Sequence, residues 1–332
     1  MTKKIGINGF GRIGRNFLRA AWNDPEIEVV AVNDLADAAT LAYLLKRDSI
    51  LGAFPAPVGS DGPDLLVGNR RIRVFAEKDP AAIPWGSVGA ELVVESTGRF
   101  TDREGAAKHL RDGVHRVLVS APAKGDDLTI VMGVNHRLFD PAKHVVLSNG
   151  SCTTNALAPL AKVLNDRFGI EHGQMVTTHA YTNSQALHDQ PSRELRAGRA
   201  AALSIIPHST GAAKAIGKVL PELDGKLSGY SLRVPVPVVS VVDLTVTVSR
   251  SVTVEEVNAT LKEASERGDL AGILGYSEEP LVSADFQGDP RSSIVDAQST
   301  LVSGGRLVKV LSWYDNEWGF SNRLVDLARM AG

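Results

Sequence analysis

Cys152 is the single cysteine in a chain of 332 residues, and its neighbours are polar: Ser151 before it, then Thr153, Thr154 and Asn155. The run Val145-Val-Leu-Ser-Asn149-Gly-Ser151 reads as a strand leading directly into a helix, which puts Cys152 in the first helical turn. Unpaired backbone N–H groups and the positive end of the helix dipole there favour a thiolate and offer donors for an oxyanion. A lone cysteine is more often a small buried hydrophobe; the polar neighbours argue against that here. A reacting thiol needs a base, and the chain has eight histidines. His179 is the favoured partner because it ends an apolar run and begins the polar segment Ala180-Tyr-Thr-Asn183. His109, His115, His136, His144 and His172 lie among charged or loop residues and are expected at the surface, and His188 and His208 stay undecided.

A second kind of chemistry is written near the N-terminus. Gly9-Phe-Gly11-Arg-Ile-Gly14 follows a strand-like run and precedes a helical one. In that setting Gly9 permits a tight turn, Gly11 lets a pyrophosphate approach the backbone, and Gly14 lets helix and strand pack closely. The helix start then faces the phosphates. Asp34 closes the next strand, about 20 residues on, where a carboxylate accepts hydrogen bonds from ribose hydroxyls and repels a 2′-phosphate. That favours NAD over NADP. A purely structural glycine turn beside an ordinary aspartate explains less of this context.

The elements needed to hold these groups follow from hydrophobic periodicity. Runs 5–8, 29–33, 92–95, 117–120 and 145–148 read as buried strands, and 12–22, 39–46 and 102–110 as helices between them. Such alternation predicts an α/β fold with a Rossmann-type, doubly wound parallel sheet. After residue 150 the pattern changes. Residues 151–168 read as a helix, and longer strand-like segments cover 175–180, 227–234, 239–249 and 307–314. Thr253-Val-Glu-Glu256 has the spacing of a capping box opening a helix to about Arg267, and Ser303-Gly-Gly305 reads as a turn between antiparallel strands. The second half is therefore expected to be an α+β catalytic domain on a large mixed or antiparallel sheet. The boundaries predicted are 1–150 for the NAD-binding domain, joined by a C-terminal helix at 318–332, and 151–317 for the catalytic domain.

The composition is ordinary globular: 43% hydrophobic, 22% charged, formal net charge −2. With no long run of one sign, neither nucleic acid nor an anionic membrane is implied as a partner. One cysteine precludes an internal disulfide, which suits a reducing compartment. The N-terminus enters a strand at once without a signal-peptide pattern, and no apolar run reaches the roughly 20 residues of a membrane span. A cytoplasmic enzyme is expected, with no metal site.

At this point the chain closely resembles phosphorylating glyceraldehyde-3-phosphate dehydrogenases over essentially its whole length. The resemblance rests on Ile7–Gly14, Val32-Asn-Asp34, Glu95-Ser-Thr-Gly-Arg-Phe-Thr101, Ser120-Ala-Pro-Ala-Lys124, Ser151-Cys-Thr-Thr-Asn155 and His179–Asn183. It continues through Ser209-Thr-Gly-Ala-Ala-Lys214, Arg233-Val-Pro235 and Trp313-Tyr-Asp-Asn-Glu-Trp-Gly319. It implies that Cys152 attacks the aldehyde and His179 takes its proton, that NAD is reduced, and that inorganic phosphate releases the acyl group from a thioester. Arg12, Ile13, Asp34, Lys78, Ser120 and Asn316 are implied for the cofactor, with Asn316 orienting the nicotinamide carboxamide. Thr182 and Arg233 are implied for the substrate phosphate, and Ser151, Thr153, Thr210 and Gly211 for the attacking phosphate. A homotetramer is implied as well.

The chain also departs from the resemblance. Ala156 replaces a second cysteine four residues after the nucleophile. Ala197 stands where many members are read as carrying an arginine for the attacking phosphate, so weaker phosphate use is expected unless Arg196 or Arg199 compensates. Ser184, Ala186, His188, Gln190 and Ser192 alter a loop that reaches toward a neighbouring subunit's cofactor. Gln190 loosens selectivity near the adenosine ribose, whereas the Asp34 charge opposes NADP, so NAD is expected to be preferred. The rival within the same chemistry is an erythrose-4-phosphate dehydrogenase-like paralogue. Outside it stand a catalytically silent cofactor-binding protein and a cysteine acyl hydrolase, and neither accounts for the glycine loop together with Cys152.

Overall fold

The computed structural model describes residues 2–332. They divide into two compact units: the first runs to Ile130 and adds Arg137–Gly150 and Ser321–Gly332, and the second comprises Val131–His136 and Ser151–Phe320.

In the first unit the strands are β1 (Lys3–Asn8), β2 (Ile27–Asn33), β3 (Val58–Asp61), β4 (Asp64–Val67), β5 (Arg70–Phe75), β6 (Leu92–Glu95), β7 (Arg116–Val119), β8 (Leu128–Thr129) and β9 (Val146–Ser148). Helices α1 (Arg12–Ala21), α2 (Ala38–Lys46) and α3 (Arg103–Ala107) connect them. The nine strands lie in the order β8-β9-β7-β6-β1-β2-β5-β4-β3. Those from β8 to β5 pair in parallel, and β4 and β3 add an antiparallel edge. The short β6 and β7 are buried along their whole length, as strands covered on both faces must be. The chain leaves β1 in one direction to reach β2 and the other to reach β6, and the crevice at that switch point is where open α/β sheets bind ligands. The β3–β5 meander was not read from sequence: its strands carry Asp61, Asp64 and three arginines, so little apolar alternation marks it.

In the second unit α4 (Cys152–Phe168) is followed by β10 (Ile170–Ala180), β11 (Ile206–His208), α5 (Ala212–Val219), β12 (Leu227–Val234), β13 (Ser240–Val248), α6 (Val254–Glu266), β14 (Leu274–Ser277), β15 (Ser293–Ser303) and β16 (Leu307–Tyr314). The sheet order is β11-β12-β10-β13-β16-β15-β14. β10–β12 and β14–β15 pair in parallel and the rest antiparallel, so the sheet is mixed. Along β13 alternate residues Val242, Leu244, Val246 and Val248 are buried, in one core cluster with Leu157, Leu160 and Leu164 of α4. That packing holds the long helix, and with it Cys152, against the sheet.

Several boundaries differ from the sequence expectation. β10 begins at Ile170, five residues early, because pairing on both sides extends it through polar His172 and Gln174. Helix α3 is shorter than 102–110, with Asp102 as its cap. At α6 only half of the capping box forms: Thr253 Oγ1 accepts from Glu256 N, whereas the Glu256 carboxylate pairs with Arg250 at 2.7 Å. The final helix, α7 (Trp318–Ala331), crosses from one unit into the other, and its later turns belong to the first.

Candidate active site

The glycine loop is built by steric necessity. Gly9 has φ +89°, and a Cβ there would stand 2.7 Å from Thr97 N; one on Gly14 would stand 2.2 Å from the Gly9 carbonyl. A Cβ on Gly11 would meet nothing within 4 Å, so the loop is open at that point. Phe10 N donates to Asp34 Oδ2 at 2.8 Å and Ala36 N to Oδ1 at 3.1 Å, fixing the carboxylate beside the loop with acceptor capacity left for a ribose. Gly9, Gly11, Asp34 and Lys78 line a cleft of about 570 Å3 together with Asn8, Asn33, Ser96 and Thr97. Arg12 donates to the buried Asp48 at 2.7 Å, and Ile13 is partly buried one residue on. These features fit a dinucleotide: a backbone cradle that a side chain would fill, and an acid positioned for its ribose.

Cys152 sits where β9 turns into α4. Gly150 takes φ +65° to make that turn, and Ser151 Oγ accepts from Thr154 N at 3.0 Å, capping the helix. Cys152 is thus the first residue of α4 and is partly exposed. Its Sγ lies 3.4 Å from His179 Nε2 at the end of β10. In the tautomer with hydrogen on Nδ1, His179 donates to the Ala180 carbonyl at 2.7 Å and Nε2 is the basic nitrogen facing sulfur; in the other, Nδ1 accepts from Arg233 Nη1 at 2.6 Å. Arg233, opposite His179 in the β10–β12 pairing, places Nη1 3.1 Å from that carbonyl and 2.6 Å from Nδ1.

Burial pushes the Cys152 thiol up, against the Arg233 charge and the N–H groups of Thr153 and Cys152 itself, which pull it down. Burial, then the Arg233 charge, push His179 down to about 3 against the Ala180 hydrogen bond. Burial thus favours the neutral thiol beside the neutral imidazole, while Arg233 and the N–H groups at the helix start draw the sulfur toward the thiolate.

Asn316 is placed by Asp315, whose carboxylate accepts from Glu317 N and Trp318 N at the start of α7 and from Gly288 N. Ser240 Oγ accepts from Ala180 N and donates to Asn316 Oδ1, both at 3.0 Å.

The sequence matches the family described as "Glyceraldehyde 3-phosphate dehydrogenase, NAD binding domain" over residues 3–103, and "Glyceraldehyde 3-phosphate dehydrogenase, C-terminal domain" over 151–316. It is 61% identical to glyceraldehyde-3-phosphate dehydrogenase 1 of Bacillus subtilis, over 99% of this chain and 98% of that protein. The identity to the Geobacillus stearothermophilus glyceraldehyde-3-phosphate dehydrogenase is also 61%, with the same coverage. The Streptomyces coelicolor one is 55% identical over 100% of this chain. The chain belongs to the glyceraldehyde-3-phosphate dehydrogenase family. Its first unit carries that family's NAD-binding domain, on a Rossmann-type sheet.

Within this family frame, the remaining residues of the sequence reading fall into two groups. Ser120, at the end of β7, donates its N–H to the Glu95 carbonyl and is partly exposed. Gly211 opens α5, and Thr210 Oγ1 accepts from Ala212 N at 3.2 Å. Thr182 bonds Ser184 at 3.0 Å. None of these touches the Cys152–His179 pair directly. Thr153 follows Cys152 in α4, and its buried hydroxyl lies 2.9 Å from Tyr314 Oη, which also meets Thr177.

Ala197 is 7% exposed, its N–H bonds Glu194 O and its carbonyl accepts from Ala186 N. Arg196 and Arg199 are both exposed, and Arg199 Nε donates to Asp189 Oδ2 at 2.8 Å. His109 is a correction: it is fully buried, accepting from Trp85 Nε1 at 3.0 Å and lying 3.1 Å from Glu95 Oε2. The charged residues around it in sequence concealed this. Ser240 and Tyr314 were missed altogether, because a serine and a tyrosine in strands give no signal until the strands are paired.

Proposed function

We propose that the protein oxidises D-glyceraldehyde 3-phosphate to 1,3-bisphosphoglycerate with NAD and inorganic phosphate, through Cys152 and His179. The observation that carries this reading is the 3.4 Å approach of Sγ to an imidazole whose other nitrogen lies 2.7 Å from the Ala180 carbonyl. Sγ attacks the aldehyde carbon while its proton passes to Nε2, which hands it on to the carbonyl oxygen, now the hydroxyl of a hemithioacetal. Nε2 then draws the hydroxyl proton as the carbon is oxidised. NAD, when bound by the glycine loop and Asp34, supplies the oxidant by accepting two electrons and a hydrogen from that carbon, which leaves a thioester on Cys152. A phosphate oxygen attacks the thioester, the C–S bond breaks, and sulfur leaves as the thiolate that His179 reprotonates. Splitting the reaction at a covalent intermediate keeps the oxidation energy for the acyl phosphate.

Arg233 serves the substrate phosphate with Thr182, as a guanidinium fork beside a hydroxyl. Pairing with a dianion would cancel the charge that depresses His179, so substrate binding itself makes the base stronger. Ser151, Thr153, Thr210 and Gly211 serve the attacking phosphate. Leu187, Leu195, Leu203 and Ile205 are exposed along one segment, which supports assembly with further copies, and we read the working form as a cytoplasmic homotetramer.

The test is NADH formation from glyceraldehyde 3-phosphate with and without phosphate, beside erythrose 4-phosphate. Phosphate-dependent turnover that favours the triose and vanishes in Cys152→Ser is the expected result. Faster turnover of the tetrose, or activity that survives Cys152→Ser, would overturn the reading.

A further inference from the structure

Ser240 stands between two groups that the reaction uses. It is buried, it opens β13, and it pairs with Tyr314 across the β13–β16 ladder. A serine hydroxyl has one proton and two lone pairs. The Ala180 N–H can only donate, so the Ser240 oxygen must accept it; the proton of Ser240 goes to Asn316 Oδ1. In this arrangement Asn316 Oδ1 faces Ser240, and the two Nδ2 hydrogens are its remaining donors. Ala180 is also the residue whose carbonyl lies 2.7 Å from His179 Nδ1. One hydroxyl therefore ties the orientation of the amide to the strand end that holds the base.

The route by which the chain reaches Ser240 supports a built feature. Val239, immediately before it, is buried with φ +68°, the left-handed region, where a β-branched residue is a genuine outlier. Only Asp112 shares a positive φ among the described non-glycine residues. Strain of this kind persists where surroundings over-determine the backbone, and it gathers at functional sites.

We propose that Ser240 is the positioning residue for Asn316, holding the amide with Nδ2 outward so that it recognises a carboxamide oxygen, the acceptor that a nicotinamide ring carries. The proposal rests on the reading of Asn316 as a cofactor residue and adds what sets its orientation. Without the Ser240 hydroxyl the amide turns freely, and half its orientations present an oxygen to an oxygen.

Native protein and Ser240→Ala are compared, without substrate, for binding NAD and pyridine adenine dinucleotide, the analogue lacking the carboxamide, by quenching of tryptophan fluorescence. The native protein prefers NAD by about tenfold, the size of one well-placed hydrogen bond. In Ser240→Ala the preference falls below about threefold through weaker NAD binding, while the analogue's Kd stays the same. Should the alanine variant fail to fold, Ser240→Cys, close in volume but a weaker donor, must lose preference in the same direction. A preference left intact in whichever variant folds overturns the role of Ser240. Equal binding of the two nucleotides by the native protein overturns the Asn316 assignment and this proposal with it, while leaving the chemistry at Cys152 standing.

Discussion

Arg233 Nη1 lies 2.6 Å from His179 Nδ1, on the side of the ring away from sulfur. The guanidinium therefore acts on both members of the reacting pair with opposite consequences for their charge. It stabilises the Cys152 thiolate and opposes the His179 imidazolium. In the free protein the two effects compete, and a bound dianion at Arg233 would release the second.

Removing that cation gives a signed pH prediction. Arg233 lowers the thiol and lowers the imidazole, so Arg233→Leu should raise both. A higher thiol value means less thiolate at any given pH. The rate of Cys152 alkylation by iodoacetamide, followed from pH 5 to 10 in cofactor-free protein, should shift to higher pH in the variant. A profile that stays in place or moves lower would show that Arg233 does not govern the pair.

Asp34 has two duties that a substitution separates. Its carboxylate accepts from Phe10 N and Ala36 N, which shapes the loop, and in the proposed cofactor reading it presents negative charge to the ribose. Asp34→Ala should lower kcat/KM for NAD by about 10- to 100-fold, from the lost charged hydrogen bonds. The same change removes the repulsion of a 2′-phosphate, so the NADP-to-NAD ratio of kcat/KM should rise at least about tenfold. An unchanged ratio would place cofactor choice elsewhere, with Gln190 the next position to vary.

Phosphate use offers a third test, in which the burial of Ala197 is set against the expectation read from sequence. Adding a guanidinium at a position only 7% exposed forces a charge inward. Ala197→Arg should cost about 3 kcal/mol of stability without lowering the KM for phosphate. Arg199 is exposed and held through Nε by Asp189, which leaves both terminal NH2 groups available to an anion. Arg199→Ala should raise the phosphate KM about tenfold and leave that for the aldehyde within twofold. Improved phosphate use on adding arginine at 197 would restore the sequence-based view.

The pattern of what was legible follows from the range of each interaction. The glycine loop, Asp34 and the Cys152 helix start are local: their roles depend on neighbours a few residues away, and their spacing shows in the chain. Strand β16 was read to the residue because apolar alternation runs through it, whereas the β3–β5 meander carries charge on both faces. The His179 choice drew on a strand end, again a local sign. Arg233, Ser240 and Asn316 meet only after β10, β12, β13 and β16 pair, at separations of 54 and 76 residues. Without the resemblance to a known family nothing in composition or spacing joins them. His109 failed for the complementary reason: its sequence neighbours face solvent while its own ring turns inward.

That buried ring makes a last prediction. The Trp85 indole N–H can only donate, so His109 Nδ1 accepts it, and Nε2 carries the hydrogen that Glu95 Oε2 accepts. The same carboxylate takes Asn8 Nδ2 at 2.6 Å, Thr97 N at 2.8 Å and the Thr97 hydroxyl. Asn8 and Thr97 both line the dinucleotide cleft, so the network anchors its floor. His109→Phe preserves ring volume but strands the indole N–H and withdraws one donor from Glu95, each a buried polar loss of about 1–3 kcal/mol. Urea unfolding should therefore register a loss of about 3 kcal/mol, and NAD binding should weaken several-fold as Thr97 loosens. Alkylation of Cys152 should keep its native rate, because the sulfur belongs to the other unit. A variant as stable as the native protein would mean that the indole and the carboxylate find other partners, and that the cleft does not depend on this histidine.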